Sequence, residues 1–178
     1  MPYSWDTYNP LFVNHLKQIN PSTILDIGPG AGTYSNLSKS ILPNVKMTAV
    51  EATVDYINQF DLNSKYDKVI NKTIQEFLLT ENGTDYDLAI CGDILEHLFL
   101  HEAISAIDSL LYTCKKVIVV WPTKLKQNNE NAFENHKCNF FLQDLTRFNV
   151  LFYTKMQKID QWLSREDDCW HHYVLLGK

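Results

Sequence analysis

The sequence predicts an α/β chain built on a mostly parallel sheet, and three observations carry that prediction. Apolar runs alternate with amphipathic helical patterns from Leu11 to Trp121. One of those runs, Thr23 to Ile27, leads straight into a turn with glycines at 28, 30 and 32. After Trp121 the alternation stops, and two closing strands follow at Val150 to Lys155 and His172 to Leu176. Strands separated by helices imply right-handed βαβ units and hence parallel pairing. The two closing strands stand outside that alternating unit.

The chain has 178 residues, of which 45% are hydrophobic. That length suits a single domain, 1–178, with enough apolar surface to bury a sizeable core. The formal net charge of −5 argues against a broad nucleic-acid footprint. No apolar run approaches a membrane span, and Met1-Pro2-Tyr3-Ser4-Trp5-Asp6 has no basic segment leading into an apolar one. Cys91, Cys114, Cys138 and Cys169 form no C-x-x-C pair, as expected of reduced thiols in a cytoplasm. No repeat, linker or low-complexity tract is present, and oligomeric state is not legible at this level.

The elements follow in order. Tyr3, Trp5 and Tyr8 make an aromatic leader that either closes over a ligand or docks on the core. Leu11 to Ile19 has helical periodicity, broken by Asn20-Pro21-Ser22. Thr23 to Ile27 is apolar and β-branched enough to be a buried strand. Glycine belongs in the turn after it, where the backbone takes positive φ or a ligand approaches the main chain. The helix start beyond it offers unpaired N–H groups and a positive dipole end. That helix spans Tyr34 to Leu42 and ends at Pro43-Asn44. Val45 to Glu51 is the second strand, Val54 to Phe60 a helix, Tyr66 to Ile70 the third strand and Asp87 to Cys91 the fourth. His101 to Leu111 is helical, with apolar residues at 103, 104, 107, 110 and 111. Lys115 to Trp121 is the fifth strand, stopped by Pro122. A long polar loop, 124–139, precedes a helix expected at Phe140 to Phe148. Loops of that length in compact domains are often functional.

The stretch Asp26-Ile27-Gly28-Pro29-Gly30-Ala31-Gly32 resembles the first motif of the class I S-adenosylmethionine (SAM) dependent methyltransferases, which is close to D-x-G-x-G-x-G. It matches in full. It departs from the dinucleotide fingerprint G-x-G-x-x-G because its third glycine comes one residue early. Glu51 ends the second strand, 19 positions beyond Gly32, where the family places an acidic residue on the ribose hydroxyls. Thr73 aligns with the family's adenine-facing Asp or Asn, a departure from that pattern in which a hydroxyl is left to accept the hydrogen bond, and Ile74 can cover the adenine face. Asp93 follows strand four, where the family has a polar residue facing the methyl donor, and Leu95-Glu96-His97-Leu98 is a frequent sequel. The resemblance spans about the whole chain. It implies a Rossmann-like seven-stranded mostly parallel sheet with helices on both faces, a C-terminal antiparallel strand pair and strand order 3-2-1-4-5-7-6. It also implies SAM as cofactor, with Asp26, Gly28, Gly30, Gly32, Tyr34, Glu51, Thr73, Ile74 and Asp93 around it.

Ligands of open α/β sheets bind beyond the carboxyl ends of the strands, where residues from four separate strands would meet here. The reaction implied is in-line displacement on the methyl group by an oxygen or nitrogen of a small-molecule or carbohydrate-like acceptor. Asp93, His97 and His136 are the catalytic candidates, since a histidine titrates near neutral pH and can take a proton. Glu134 and His136 belong to a loop expected over the site mouth. Trp121, Trp162 and Trp170 either line an acceptor pocket or pack the core. No D/N-P-P-Y motif follows strand four, which argues against base amino-methylation. Asp93-x-x-Glu96-His97 is also similar to the E-x-x-E-H of some small-RNA 2′-O-methyltransferases and ubiquinone-pathway O-methyltransferases, which bind a divalent metal there. A metal on Asp93, Glu96, His97 and His136 is therefore the alternative. The metal-free reading is preferred, because Asp93 is shorter than the glutamate of that pattern. A SAM-binding protein without transfer activity is the remaining alternative.

Overall fold

The computed structural model describes residues 6–80, 85–123, 133, 135–157 and 169–178. Helix α1 (Asn9–Ile19) precedes β1 (Thr23–Ile27), and α2 (Thr33–Ile41) leads to β2 (Lys46–Val50). Two short helices, α3 (Val54–Gln59) and α4 (Leu62–Lys65), connect to β3 (Lys68–Ile70). Then come α5 (Ile74–Thr80), β4 (Tyr86–Gly92), α6 (Leu100–Thr113), β5 (Cys114–Thr123), β6 (Asn149–Gln157) and β7 (Trp170–Gly177). The seven strands form one sheet in the order β3-β2-β1-β4-β5-β7-β6. Pairing is parallel from β3 to β5, and β7 runs antiparallel to both β5 and β6. This is the expected Rossmann-like sheet with its antiparallel end.

Alternate side chains of each central strand face opposite sides of the sheet. Leu25, Ala89, Cys91, Val117 and Val119 pack with Phe77 of α5 and Ala103, Ile107 and Leu110 of α6. Ile24, Leu88, Ile90, Ile118 and Val120 pack with Phe12 and Leu16 of α1, Tyr34 of α2 and Leu62 of α4 on the other side. The strands are apolar on both faces because both faces are covered. The leader docks at Tyr8, which is buried and donates its O–H to the His171 carbonyl at 2.5 Å. Tyr3 and Trp5 lie outside the described residues.

Several elements depart from the expected bounds for identifiable reasons. Strand β5 runs through Pro122 to Thr123. The Asp93 N–H donates to the Val120 carbonyl, so Val120 turns its backbone groups toward β4. Two residues on, the backbone of Pro122 faces the same side, beyond the end of β4, where a missing N–H breaks no ladder bond. The helix expected over 140–148 is only a 3-10 turn, Leu142–Leu145. Phe140 is fully buried against Trp121, and its carbonyl accepts the indole N–H at 2.7 Å, which holds the backbone out of a helix. Trp121 is therefore core, not pocket. Trp162 lies outside the described residues, while the Trp170 ring is covered by Lys155 Nζ at 4.3 Å. Helix α5 went unread in the sequence although Thr73-x-x-Glu76 caps it reciprocally. The Glu76 N–H donates to Thr73 Oγ1 (3.2 Å), and the Thr73 N–H donates to Glu76 Oε2 (2.9 Å).

Candidate functional site

A cleft of about 290 Å³ opens beyond the carboxyl ends of β1, β2, β3 and β4. The strand order reverses between β1 and β4, which is where open α/β sheets bind ligands. Gly28 and Gly30 form its floor with φ of 64° and 50°, conformations that glycine adopts without strain. Gly28 also leaves room for Ile94: a β-carbon there would lie 2.6 Å from Ile94 Cδ1. The turn after β4 is thereby seated directly on the glycine turn. Glu51 forms part of one wall, 5% exposed, with its Oε1 accepting the Thr53 N–H at 2.8 Å. Thr73 and Ile74 line the next side, and Asp93, Ile94 and His97 line the side under β4.

The sequence-expected residues thus divide. Gly28, Gly30, Glu51, Thr73, Ile74, Asp93 and His97 meet at the cleft. Asp26, Gly32 and Tyr34 do not line it. Asp26 is buried in the middle of the sheet and accepts the Tyr66 O–H at 2.6 Å. Burial pushes its carboxyl up to about 7, while the Tyr66 bond pulls the other way and the Glu51 charge adds to the rise. Gly32, φ 80°, starts α2. The Tyr34 ring is buried against Phe12 and leaves no space for a side chain at Gly92. The Thr73 hydroxyl is bonded to Glu76 Oε2 at 2.9 Å, so it serves the helix cap.

His136 does not line the cleft but lies against His97, which does. The N–H groups of Lys137 and Cys138 both donate to the Glu96 carbonyl, at 2.8 and 3.3 Å. That fold-back sets the His97 and His136 rings edge to face, 4.9 Å apart. Ligand atoms of Glu96, His97 and His136 then lie within 4.8 Å of one another, a group able to hold a metal ion. Asp93, the fourth member of the expected set, turns elsewhere: its Oδ1 accepts the Nε2–H of His171 at 2.9 Å. Glu134 lies outside the described residues.

Phe133, of the loop expected over the site mouth, lines the cleft, and sequence reasoning missed Tyr56, Lys72, Gln75 and Lys137, which also line it. They lie on helices and loops with no motif of their own. It missed His171 as well. The available signal was the dipeptide His171-His172, a polar pair opening an otherwise apolar final strand.

No family model matches this sequence, and no curated protein matches it. Solved structures do. A candidate O-methyltransferase from Nostoc punctiforme superposes with a TM-score of 0.62 at 13% identity, covering 96% of this chain and 55% of its own. The plantazolicin methyltransferase BpumL, solved in complex with SAH, gives 0.65 at 14% identity over 97% of this chain and 82% of its own. The N-methyltransferase NodS from Bradyrhizobium japonicum gives 0.59 at 14% identity over 98% and 100%. The chain therefore spans little more than half the length of the first of these, and the whole of the last. Its fold is that of the class I SAM-dependent methyltransferases.

Proposed function

We propose that this chain is a SAM-dependent methyltransferase acting on an oxygen or nitrogen of a small-molecule or carbohydrate-like acceptor. The observation that carries this reading is the convergence of Gly28, Gly30, Glu51, Ile74 and Asp93, from four strand ends, on one cleft. The residues fit the cofactor. The glycine turn lets a ligand approach the main chain, Glu51 presents a carboxylate able to accept two ribose hydroxyls, and Ile74 offers an apolar face to a base. When bound, SAM supplies an electrophilic methyl group on a sulfonium centre. An acceptor oxygen or nitrogen would displace that methyl group, and this chain's part would be to align the two in the cleft. His97 lines the cleft and has His136 beside it, so either can take the proton the acceptor gives up. Positioning and exclusion of water supply most of the acceleration, since proximity contributes on the order of 7–11 kcal/mol.

Titration calorimetry with SAM and S-adenosylhomocysteine tests this reading. Both should bind the wild-type chain, and Glu51→Ala should weaken both by roughly 1–3 kcal/mol with the melting temperature held. No binding of either would refute it.

A second reading is favoured by the meeting of Glu96, His97 and His136. One carboxylate and two imidazoles suit Zn²⁺, Mn²⁺ or Fe²⁺, and a metal there would acidify and orient an acceptor hydroxyl. Dialysis against a chelator followed by metal titration separates the two. Saturable binding lost in both Glu96→Ala and His136→Ala supports the metal-assisted form. Absence of binding leaves His97 and His136 as proton-handling groups.

A further inference from the structure

We infer that the acceptor is anionic: an apolar small molecule whose carboxylate or phosphate group pairs with Lys137 at the β4 end of the cleft. The inference rests on the SAM reading above and deepens it.

On that reading the glycine turn, Glu51 and Ile74 take the cofactor at the ends of β1, β2 and β3. What remains is the stretch beyond β4, walled by His97, Leu98, Phe133 and Lys137. Two features set it apart. The first is uncovered aromatic surface. Phe133 lines the cleft yet is 53% exposed, and Phe99, under the Lys137 ammonium, is 54% exposed. Rings left open at a cleft mouth suit an apolar partner that covers them on binding. The second is charge. Glu51, Lys72, Asp93 and Lys137 are the charged residues of the wall. Glu51 Oε1 accepts the Thr53 N–H, Lys72 Nζ donates to Thr80 Oγ1 at 2.9 Å, and Asp93 Oδ1 accepts from His171. The Lys137 side chain makes no hydrogen bond or ion pair among the described residues.

The position of Lys137 is set by its surroundings. Its backbone N–H donates to the Glu96 carbonyl at 2.8 Å, and the Cys138 N–H shares that acceptor at 3.3 Å. This fixes where the side chain leaves the loop. Its Nζ lies 5.7 Å from the Phe99 ring centroid, close enough for the ring's negative face to hold it. Phe99 is fixed in turn, because its N–H donates to Glu102 Oε2 at 2.9 Å at the start of α6. The Glu102 charge reaches Lys137, but both of its oxygens are in use: Oε2 by Phe99, and Oε1 by the Gln75 amide at 3.3 Å. The ammonium is left for an anion from outside. The chain as a whole carries −5, so that anion is recognised by this local charge and not by a general field. Lys137 follows His136, whose ring meets His97 edge to face. An acceptor anchored at Lys137 therefore lies beside the two imidazoles available for its proton.

Ligand-observed NMR on the full chain saturated with S-adenosylhomocysteine tests this, with benzoate, phenyl phosphate and neutral benzamide as probes. At least one anion should bind about fivefold more tightly than benzamide, the size of an exposed ion pair. A preference for benzoate alone assigns a carboxylate, one for phenyl phosphate alone a phosphate, and one for both the charge they share. Lys137→Met should remove the preference while benzamide binds as before, and Lys137→Arg should keep it. Phe133→Ala should weaken all three probes. The Lys137 side chain is exposed, so both of its variants should fold, which the melting temperature checks. Benzamide binding as tightly as both anions overturns the proposal. So does failure of both anions to bind, or a preference that survives Lys137→Met. If S-adenosylhomocysteine itself does not bind, the methyltransferase reading has failed and this inference falls with it.

Discussion

Gly28 shows how much one missing β-carbon decides. Its φ of 64° already disfavours any side chain, and an added Cβ would meet Ile94 Cδ1 at 2.6 Å and Cγ1 at 2.9 Å. Gly28→Ala therefore forces the Ile94 side chain from its place over the turn. It should lower the melting temperature and abolish cofactor binding. Adding Ile94→Ala removes the clash but leaves the left-handed strain of about 1–2 kcal/mol, so stability should return only in part. Thermal unfolding of the single and double variants checks this. A Gly28→Ala protein as stable as wild type would show that Ile94 is not what the glycine accommodates. The glycine spacing was legible in the sequence because the constraint is local. The Asp93–His171 bond joins residues 78 positions apart and has no local signature.

Among the elements, the start of β4 is tied to its neighbours by one side chain. Asp87 accepts the N–H groups of Ser22 (2.8 Å) and Thr23 (3.2 Å) at the start of β1, and Lys115 Nζ (2.7 Å) at the start of β5. Its own N–H donates to Thr23 Oγ1 at 3.0 Å. The Lys115 bond first, and the Ser22 N–H after it, hold the carboxyl below the usual carboxylate range. Asp87→Ala should cost about 1–3 kcal/mol, chiefly through the orphaned backbone donors. Lys115→Ala should move the urea midpoint much less, because an exposed pair contributes little. A depressed carboxyl stabilises above its unfolded pKa and loses that contribution as pH falls. The Asp87 effect should therefore shrink in acid. Equal midpoint shifts for the two variants would assign the effect to the ion pair. The short elements were the hardest to read. Strand β3 is three residues long, and the 140–148 segment reads as a helix until Phe140 is seen packed on Trp121.

For the whole molecule, two buried groups set opposing pH dependences. Burial raises Asp26 from 3.8 to about 7. The folded chain thus keeps a proton that the unfolded chain releases, and this group's stabilisation is lost as pH rises through that window. His172 is stacked on Trp121 at 4.8 Å and hydrogen-bonded to Tyr153 and Thr123. Burial, then the Lys155 and His171 charges, lower it from 6.5 to about 4. The unfolded chain takes up that proton first, so this group's stabilisation is lost as pH falls from 6.5 towards 4. The two slopes oppose and flatten the wild-type profile. Asp26→Asn should leave stability rising with pH between 4.5 and 6.5, and His172→Gln should leave it falling. Urea unfolding at three pH values in that range checks both. Variant curves parallel to wild type would mean that neither group titrates differently on folding. No helix among the described residues is long and apolar enough to cross a membrane.

The sequence by itself determined the strands of the sheet and its parallel body, the glycine turn, and the strand-end positions of Glu51 and Asp93. Those features follow from periodicity, glycine conformation and spacing along one strand or turn, all of which act over a few residues. Tertiary structure decided the rest. It put Asp26 and Tyr34 behind the cleft and carried β5 through Pro122. It also folded His136 back to His97 and handed Asp93 to His171. Each of these depends on which distant segment lies alongside, and that is settled only when the two sheet faces close over their helices and β7 inserts beside β5.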